Sequence, residues 1–348
     1  MTGGSGRGLA GLDFPITQIS LAVSRLDATM ARYHQTFGWA PWQVFDHVLP
    51  IHHNTELRGR PVHYSLRGAE VYVGDMNFEL LEPLEGPNLW SEFIDRRGEG
   101  IASIATMFHE RADGDAVKAA FRDRLGIPIS MKAEIGDHIE YYYLDTEEQF
   151  GCLIESGSGH AIDFVRPAQL YPSEGARPGP SPATGLVCPL TQVSIVVRDL
   201  DAHFARWHEA FGWGPWRVFD STALNGLLSD CRLDGVSVDP FAVRWAQVRV
   251  GEMNLELIEP LGGRSPWQSF LDRSGEGIFS IAVTFASRDG VDRLAAHLAS
   301  LGIGQTASAR IAGAAEWVLF DTQAAFKCLI AAGTGHALDV AEGTDSFP

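Results

Sequence analysis

Two glutamates stand inside apolar, strand-like runs: Glu79 in Asn77-Phe78-Glu79-Leu80-Leu81, and Glu155 in Cys152-Leu153-Ile154-Glu155. Carboxylates brought together in poor solvent cannot both ionise easily, so one acquires a raised pKa and can shuttle a proton on a carbon acid. Such chemistry suits epimerisation, isomerisation or elimination next to a carbonyl. Other polar groups are candidates for the same place. Gln18 and Ser103 also sit in apolar strand-like runs, and with Glu79 they form a trio that returns later as Gln192, Ser280 and Glu256. A trio kept twice is equally well explained as an internal cluster that satisfies buried polar groups. Glu155 differs, because the matching residue is Ala331.

That comparison is available because the chain is duplicated. Gln18-Ile19-Ser20-Leu21-Ala22-Val23 returns as Gln192-Val193-Ser194-Ile195-Val196-Val197, Phe37-Gly38-Trp39 as Phe211-Gly212-Trp213, and Gly98-Glu99-Gly100-Ile101 as Gly275-Glu276-Gly277-Ile278. The repeat predicts a domain over 16–165 and a second over 190–340. Residues 1–15 read as a flexible N-terminus and 341–348 as a tail. The segment 166–189, with Pro167, Pro172, Pro178, Pro180 and Pro182, reads as an extended linker. Within the first copy, period-two and helical spacing predict strand, helix and three strands, and then the same order again. The helix over 28–37 carries Met30, Tyr33, His34 and Phe37 on one side. Strands are expected near 17–23, 43–46, 63–73, 77–81, 101–107, 130–134, 139–144 and 151–155. His52 and His53 fall in a loop-like stretch that could cover a pocket mouth.

Composition narrows the partners. The chain has 348 residues, 45% hydrophobic and 20% charged, with a net charge of -17. This is a soluble globular balance, and the negative charge argues against nucleic acid and anionic lipid as partners. No apolar run approaches a membrane span and the Gly-rich start does not read as a signal peptide, so a cytoplasmic location is the expectation. Cys152, Cys188, Cys231 and Cys328 show no metal-type spacing and read as buried small hydrophobes.

The βαβββ order, the Gln18–Val23 opening strand, the Glu79-Leu80-Leu81-Glu82-Pro83 strand end, the Gly98-Glu99-Gly100-Ile101 lead and the Phe150–Glu155 ending together resemble the vicinal oxygen chelate superfamily. The closest look is to its glyoxalase and methylmalonyl-CoA epimerase branch. The resemblance covers nearly the whole chain and implies an α+β fold: tandem glyoxalase-like domains, each of two βαβββ modules curled into a half-open barrel. It also implies metal-ligand slots, which here hold Gln18, Glu79, Ser103 and Glu155. Both usual imidazoles are missing. Gln18, Glu79 and Glu155 could still hold Mg, Mn or Co through oxygen, and a metal-free site is equally open. An iron triad of two His and one carboxylate cannot be assembled at these slots, which weakens dioxygenase chemistry, and glutathione-dependent glyoxalase activity is weakened likewise.

His63 lies near the place of the epimerase base, so Glu155, Glu79 and His63 are the catalytic candidates. Tyr141, Tyr143, Arg67, Trp42 and Ser103 are the substrate-binding candidates, with Arg67 alternatively pairing with a glutamate. The expected function is an epimerase, isomerase or lyase acting on a small carbonyl metabolite in the first barrel. The alternative is a non-catalytic binding or resistance protein. The protein is expected to work as a homodimer or as a pseudo-dimeric monomer.

Overall fold

The computed structural model describes residues 7–173 and 175–348. Each copy folds into one 11-stranded sheet. In the first copy the strands are β1 (Gln18–Ala22), β2 (Trp42–His47), β3 (His52–Leu57), β4 (Arg60–Pro61), β5 (Ser65–Val73), β6 (Met76–Glu85), β7 (Gly100–Phe108), β8 (Ile129–Ile135), β9 (Ile139–Leu144), β10 (Leu153–Ser158) and β11 (Gln169–Tyr171). Their order across the sheet is β11-β2-β5-β6-β1-β7-β10-β9-β8-β3-β4. The parallel pair β1·β6 of the first module is mirrored by the parallel pair β7·β10 of the second, and the modules join through antiparallel β1·β7.

Topology alone requires this sheet to curl. Strand β2 is next to one edge and β3 next to the other, yet only Val48–Ile51 separates them in sequence. A link this short cannot cross a flat sheet of many strands spaced about 4.8 Å apart, so the two ends must approach each other. The stretch expected as a loop at His52 and His53 is therefore a strand of a hairpin, β3–β4, and β3 pairs with β8 of the other module. The first module is thus a βαβββ unit with an inserted hairpin that bridges the mouth of the half-barrel.

Strand periodicity divides the side chains between two cores. On β6, Phe78 and Leu80 face the helices, whereas Glu79 and Leu81 face the barrel interior. The helix Leu26–Phe37 covers the outer face with Leu26, Met30, Tyr33 and Phe37, and it ends at Gly38, whose φ of 76° is the left-handed geometry that closes a helix.

The second copy repeats this plan with an 11-stranded sheet between Leu190 and Phe347, and the outer cores of both copies merge into one. Matched bonds cross between them. Trp39 Nε1 donates to Cys188 O at 2.8 Å, and its counterpart Trp213 Nε1 donates to Phe14 O at 2.7 Å. Tyr33 OH donates to Phe326 O at 2.8 Å, where the other half of the interface has Trp207 against Phe150 at 5.0 Å.

These contacts revise the expected boundaries. Residues 1–6 of the N-terminus lie outside the described residues, but Leu9 and Phe14 are buried, and Phe14 packs edge-on against Phe211 of the second copy. Gln169–Tyr171 of the expected linker pairs with β2, and Asp345–Phe347 of the expected tail pairs with the strand Trp216–Asp220. Both segments cover exposed sheet edges. Among the described residues no helix is long and apolar enough to cross a membrane.

Candidate active site

The first barrel encloses a cavity of about 30 Å³ whose wall includes Gln18, His47, Glu70, Glu79, Tyr141, Tyr143, Glu155 and His160. The sheet register explains the convergence. Gln18 and Glu155 both lie opposite Ala105 across β7, and Glu79 lies opposite Ser20 on β1 and Glu70 on β5. Three buried glutamates therefore share one low-dielectric interior, and no Lys or Arg is among the lining residues.

Each carboxylate is held differently. Ser20 Oγ donates to Glu79 Oε2 at 2.7 Å, and Tyr143 OH donates to Glu155 Oε2 at 2.7 Å. Among the described residues, Oε1 of each has no side-chain donor. Glu70 Oε2 accepts from Asn77 Nδ2 at 2.6 Å and from the backbone N–H of Ile162 at 3.2 Å, so it also anchors the short helix Ala161–Phe164. Burial and the nearby charges of Glu155 and Glu70 push Glu79 well above the carboxylate range. Burial raises Glu155 to about 8, with Tyr143 pulling downward. Glu70 is raised to about 7, again chiefly by burial. Burial acts in the opposite direction on imidazoles and lowers His47 to about 3 and His160 to about 4, so neither supplies a positive charge at neutral pH.

Of the residues singled out from sequence, Gln18, Glu79, Glu155, Tyr141 and Tyr143 line the cavity. Ser103 is on the inner face, opposite Ser20 and beside Leu153, but it is not part of the cavity wall, and its buried Oγ has no partner among the described residues. Three others lie elsewhere. His63 is exposed in the connection before β5; its neighbour Tyr64 turns inward instead. Arg67 is on the outer face of β5, where it meets Asp27, Asp46 and Glu82 at 3.0, 3.6 and 3.6 Å. Trp42 is packed in the outer core against Tyr33 and Phe78. Face parity decides the cases of Arg67 and Trp42, since residues an odd number apart on a strand point to opposite faces.

The sequence did not single out Glu70, His47, Tyr64 or Trp90, and it put His52 in a loop over the pocket mouth rather than on a strand beside Tyr141. Glu70 was legible in principle: it is a lone acid in the apolar run Ala69-Glu70-Val71, three residues from Arg67 and therefore on the other face. His47 needs Gly68 on the neighbouring strand, where an added Cβ would sit 2.9 Å from His47 Nε2.

The second barrel keeps Gln192 and Glu256 but ties them up. Glu256 Oε2 accepts from Ser194 Oγ at 2.7 Å and from Gln192 Nε2 at 2.9 Å, while Oε1 accepts from Gln247 Nε2 at 2.7 Å. Asn254 Nδ2 holds Gln192 Oε1 at 2.6 Å. By strand register Gln247 stands where the first copy has Glu70, and Ala331 where it has Glu155. One carboxylate with satisfied oxygens replaces three.

Comparison with known proteins places this geometry. Residues 191–319 match the family model of the Glyoxalase/Bleomycin resistance protein/Dioxygenase superfamily. The second half belongs to this superfamily. The internal repeat and the shared sheet plan carry the same glyoxalase-like fold to the first half. A mutant of 4-hydroxymandelate synthase from Streptomyces coelicolor has a similar structure over 97% of this chain and 95% of its own, with a TM-score of 0.54 and 13% identity. An Mn(II)-bound glyoxalase from Novosphingobium aromaticivorans is similar over 96% of this chain and 85% of its own, with a TM-score of 0.50 and 13% identity. At such identities the likeness is one of tandem glyoxalase-like fold. No curated protein matches the chain in sequence.

Proposed function

We propose that the first barrel is the active site of an epimerase, isomerase or lyase that transfers a proton on a carbon next to a carbonyl in a small metabolite. The observation that carries this reading is the trio of buried glutamates without a cation among the lining residues, set against a second barrel that dispenses with two of them. A scaffold that folds with Gln247 and Ala331 does not need Glu70 and Glu155 for stability. Burying them is costly, and costly polar groups mark function.

The roles follow from the environments. Tyr143 donates to Glu155 and favours its anion, whereas Glu79 feels the charge of both other glutamates and keeps its proton. Glu155 is then the base that takes the proton from carbon, and neutral Glu79 is an acid that can return one or hold the carbonyl oxygen. A base raised to about 8 is strong enough to be useful near neutral pH while remaining partly ionised.

The oxygen donors Gln18, Glu79 and Glu155 suit a hard divalent cation such as Mg, Mn or Co. They would hold it as a partial shell, since among the described residues no group of three or more His, Cys, Asp and Glu is gathered for a metal. Such an ion, when bound, would polarise the carbonyl oxygen. The cavity of about 30 Å³ holds about one or two waters, so a substrate must displace part of the wall.

The reading is tested by α-proton exchange in D2O with a panel of 2-hydroxyaldehydes, 2-oxo acids and acyl thioesters, followed by ¹H NMR. Exchange by the wild type that is lost in Glu155→Gln, with substrate binding retained, supports it. Binding without exchange on any member would favour the sequestering alternative.

A further inference from the structure

Glu70 has no part in the roles above, and the duplication shows that the fold does not need its charge. Glu70 anchors the short helix Ala161–Phe164 through the N–H of Ile162. Gln247 does the same in the second copy, where its Oε1 accepts from the N–H of the matched Leu338 at 3.0 Å. A neutral amide therefore holds this helix as a carboxylate does. Both donors to Glu70, Asn77 Nδ2 and the Ile162 N–H, arrive at Oε2, which leaves Oε1 to accept from a ligand.

A second acceptor is freed beside it. His160 and His336 stand at the starts of the matched short helices, and His336 caps its own reciprocally. Its side chain accepts from the backbone N–H of Asp339, and Asp339 Oδ2 accepts from the His336 N–H at 3.1 Å. His160 makes no such cap, and the matching carboxylate of Asp163 accepts instead from Tyr72 OH, 2.9 Å from each oxygen. His160 lines the cavity, and its Nε2 is buried with no partner among the described residues. An orphaned acceptor is cheaper to bury than an orphaned N–H, so Nε2 presents its lone pair.

These groups set the character of a ligand. An anionic group would be buried here without a counter-charge, because no Lys or Arg lines the cavity. A positive group with several N–H donors is matched by Glu70 Oε1 and His160 Nε2. The chemistry has the same requirement: when a carbon acid loses its proton, negative charge passes to the carbonyl oxygen, and the wall holds no cation to offset it. A bound ammonium would also favour the ionised form of Glu155, the form in which it acts as a base.

Building on the proton-transfer reading of this site, we propose that Glu70 is the counter-ion for an ammonium group on the substrate, with His160 Nε2 as a further acceptor, so that the substrates are carbonyl compounds bearing an ammonium and no anionic group. Amino ketones, amino aldehydes and amides of amino acids fit this class; 2-oxo acids do not. Glu70 is raised less than Glu155, to about 7 against about 8, which makes it the readier of the two to carry the pairing charge.

Three small probes test the proposal on the full chain at pH 7 in EDTA: aminoacetone, hydroxyacetone and pyruvate, which carry an ammonium, a hydroxyl and a carboxylate beside an acetyl group. In ligand-observed NMR titrations aminoacetone is expected to bind about 10-fold more tightly than hydroxyacetone, and pyruvate more weakly than either. Glu70→Gln, which installs the residue of the second copy, should remove the preference for aminoacetone, both in binding and in kcat/KM for exchange in D2O. Equal binding of aminoacetone and hydroxyacetone, tighter binding of pyruvate, or a preference that survives Glu70→Gln overturns the proposal; exchange of hydroxyacetone or pyruvate under those outcomes leaves the proton-transfer reading standing. Preferential binding of aminoacetone that Glu70→Gln removes, with no exchange on any probe, keeps the recognition by Glu70 and overturns the proton-transfer reading. Absence of both overturns both.

Discussion

Replacing Glu155 with Gln should change how stability depends on pH, and the sign is fixed by the structure. The folded protein holds the Glu155 proton up to about pH 8, against an ordinary value of 4.5 for the carboxyl. Between those values the folded state binds a proton that the unfolded state has released, so wild-type stability falls as pH rises through the window. Below it the penalty vanishes. Each pKa unit is worth about 1.4 kcal/mol, and most of the window lies between pH 5 and 7.5, so the cost accumulated there is roughly 3 kcal/mol. The amide introduced by Glu155→Gln would keep the acceptor for Tyr143 and carry no charge at any pH. The substitution would also remove one of the charges that raises Glu79, which acts in the same direction.

The expected result is therefore that the stability of Glu155→Gln relative to wild type grows by roughly 3 kcal/mol from pH 5 to 7.5. Urea denaturation of both proteins at four pH values, in EDTA so that no cation favours the carboxylates, measures it. A pH-independent difference, or one that shrinks as pH rises, would refute the claim that Glu155 is buried without a compensating charge.

Two further outcomes follow from the same packing. Trp207 is fully buried in the core shared by the copies, stacked on Trp213 at 5.3 Å, so Trp207→Ala should cost about 3–5 kcal/mol. Both copies should lose stability in a single denaturation transition; two separated transitions would show that the shared core does not couple them. Arg67→Ala should cost no more than about 1 kcal/mol and leave turnover unchanged, because its ion pairs are on the solvent side of the sheet. A large loss of activity in that variant would return Arg67 to the site.

The tandem α+β plan was legible because the chain repeats itself and because apolar residues alternate along its strands. Glu79 and Glu155 were legible as acids in apolar runs, and Tyr141 and Tyr143 as members of a run that must place alternate side chains inward. What sequence did not reveal depends on long-range register. The hairpin β3–β4 is encoded in the first module yet pairs with β8 of the second, so nothing local to His52 places it beside Tyr141. In the connection before β5, exposed His63 is next to buried Tyr64, and on β5 an odd spacing separates solvent-facing Arg67 from inward Glu70. The internal comparison pointed to Glu155 through its replacement by Ala331, and the same comparison at Glu70 and Gln247 needed the strand register first.

The most direct test of a single active barrel is the D2O exchange assay run in parallel on Glu155→Gln and Glu256→Gln. Glu256 is the matched acid of the second barrel, with both oxygens already satisfied by Ser194, Gln192 and Gln247. Its replacement should destabilise the chain by about 1–3 kcal/mol through lost buried hydrogen bonds and leave the exchange rate per folded molecule unchanged. The Glu155 variant should lose exchange while remaining folded. Loss of exchange in Glu256→Gln with full activity in Glu155→Gln would contradict the account and move the chemistry to the second copy.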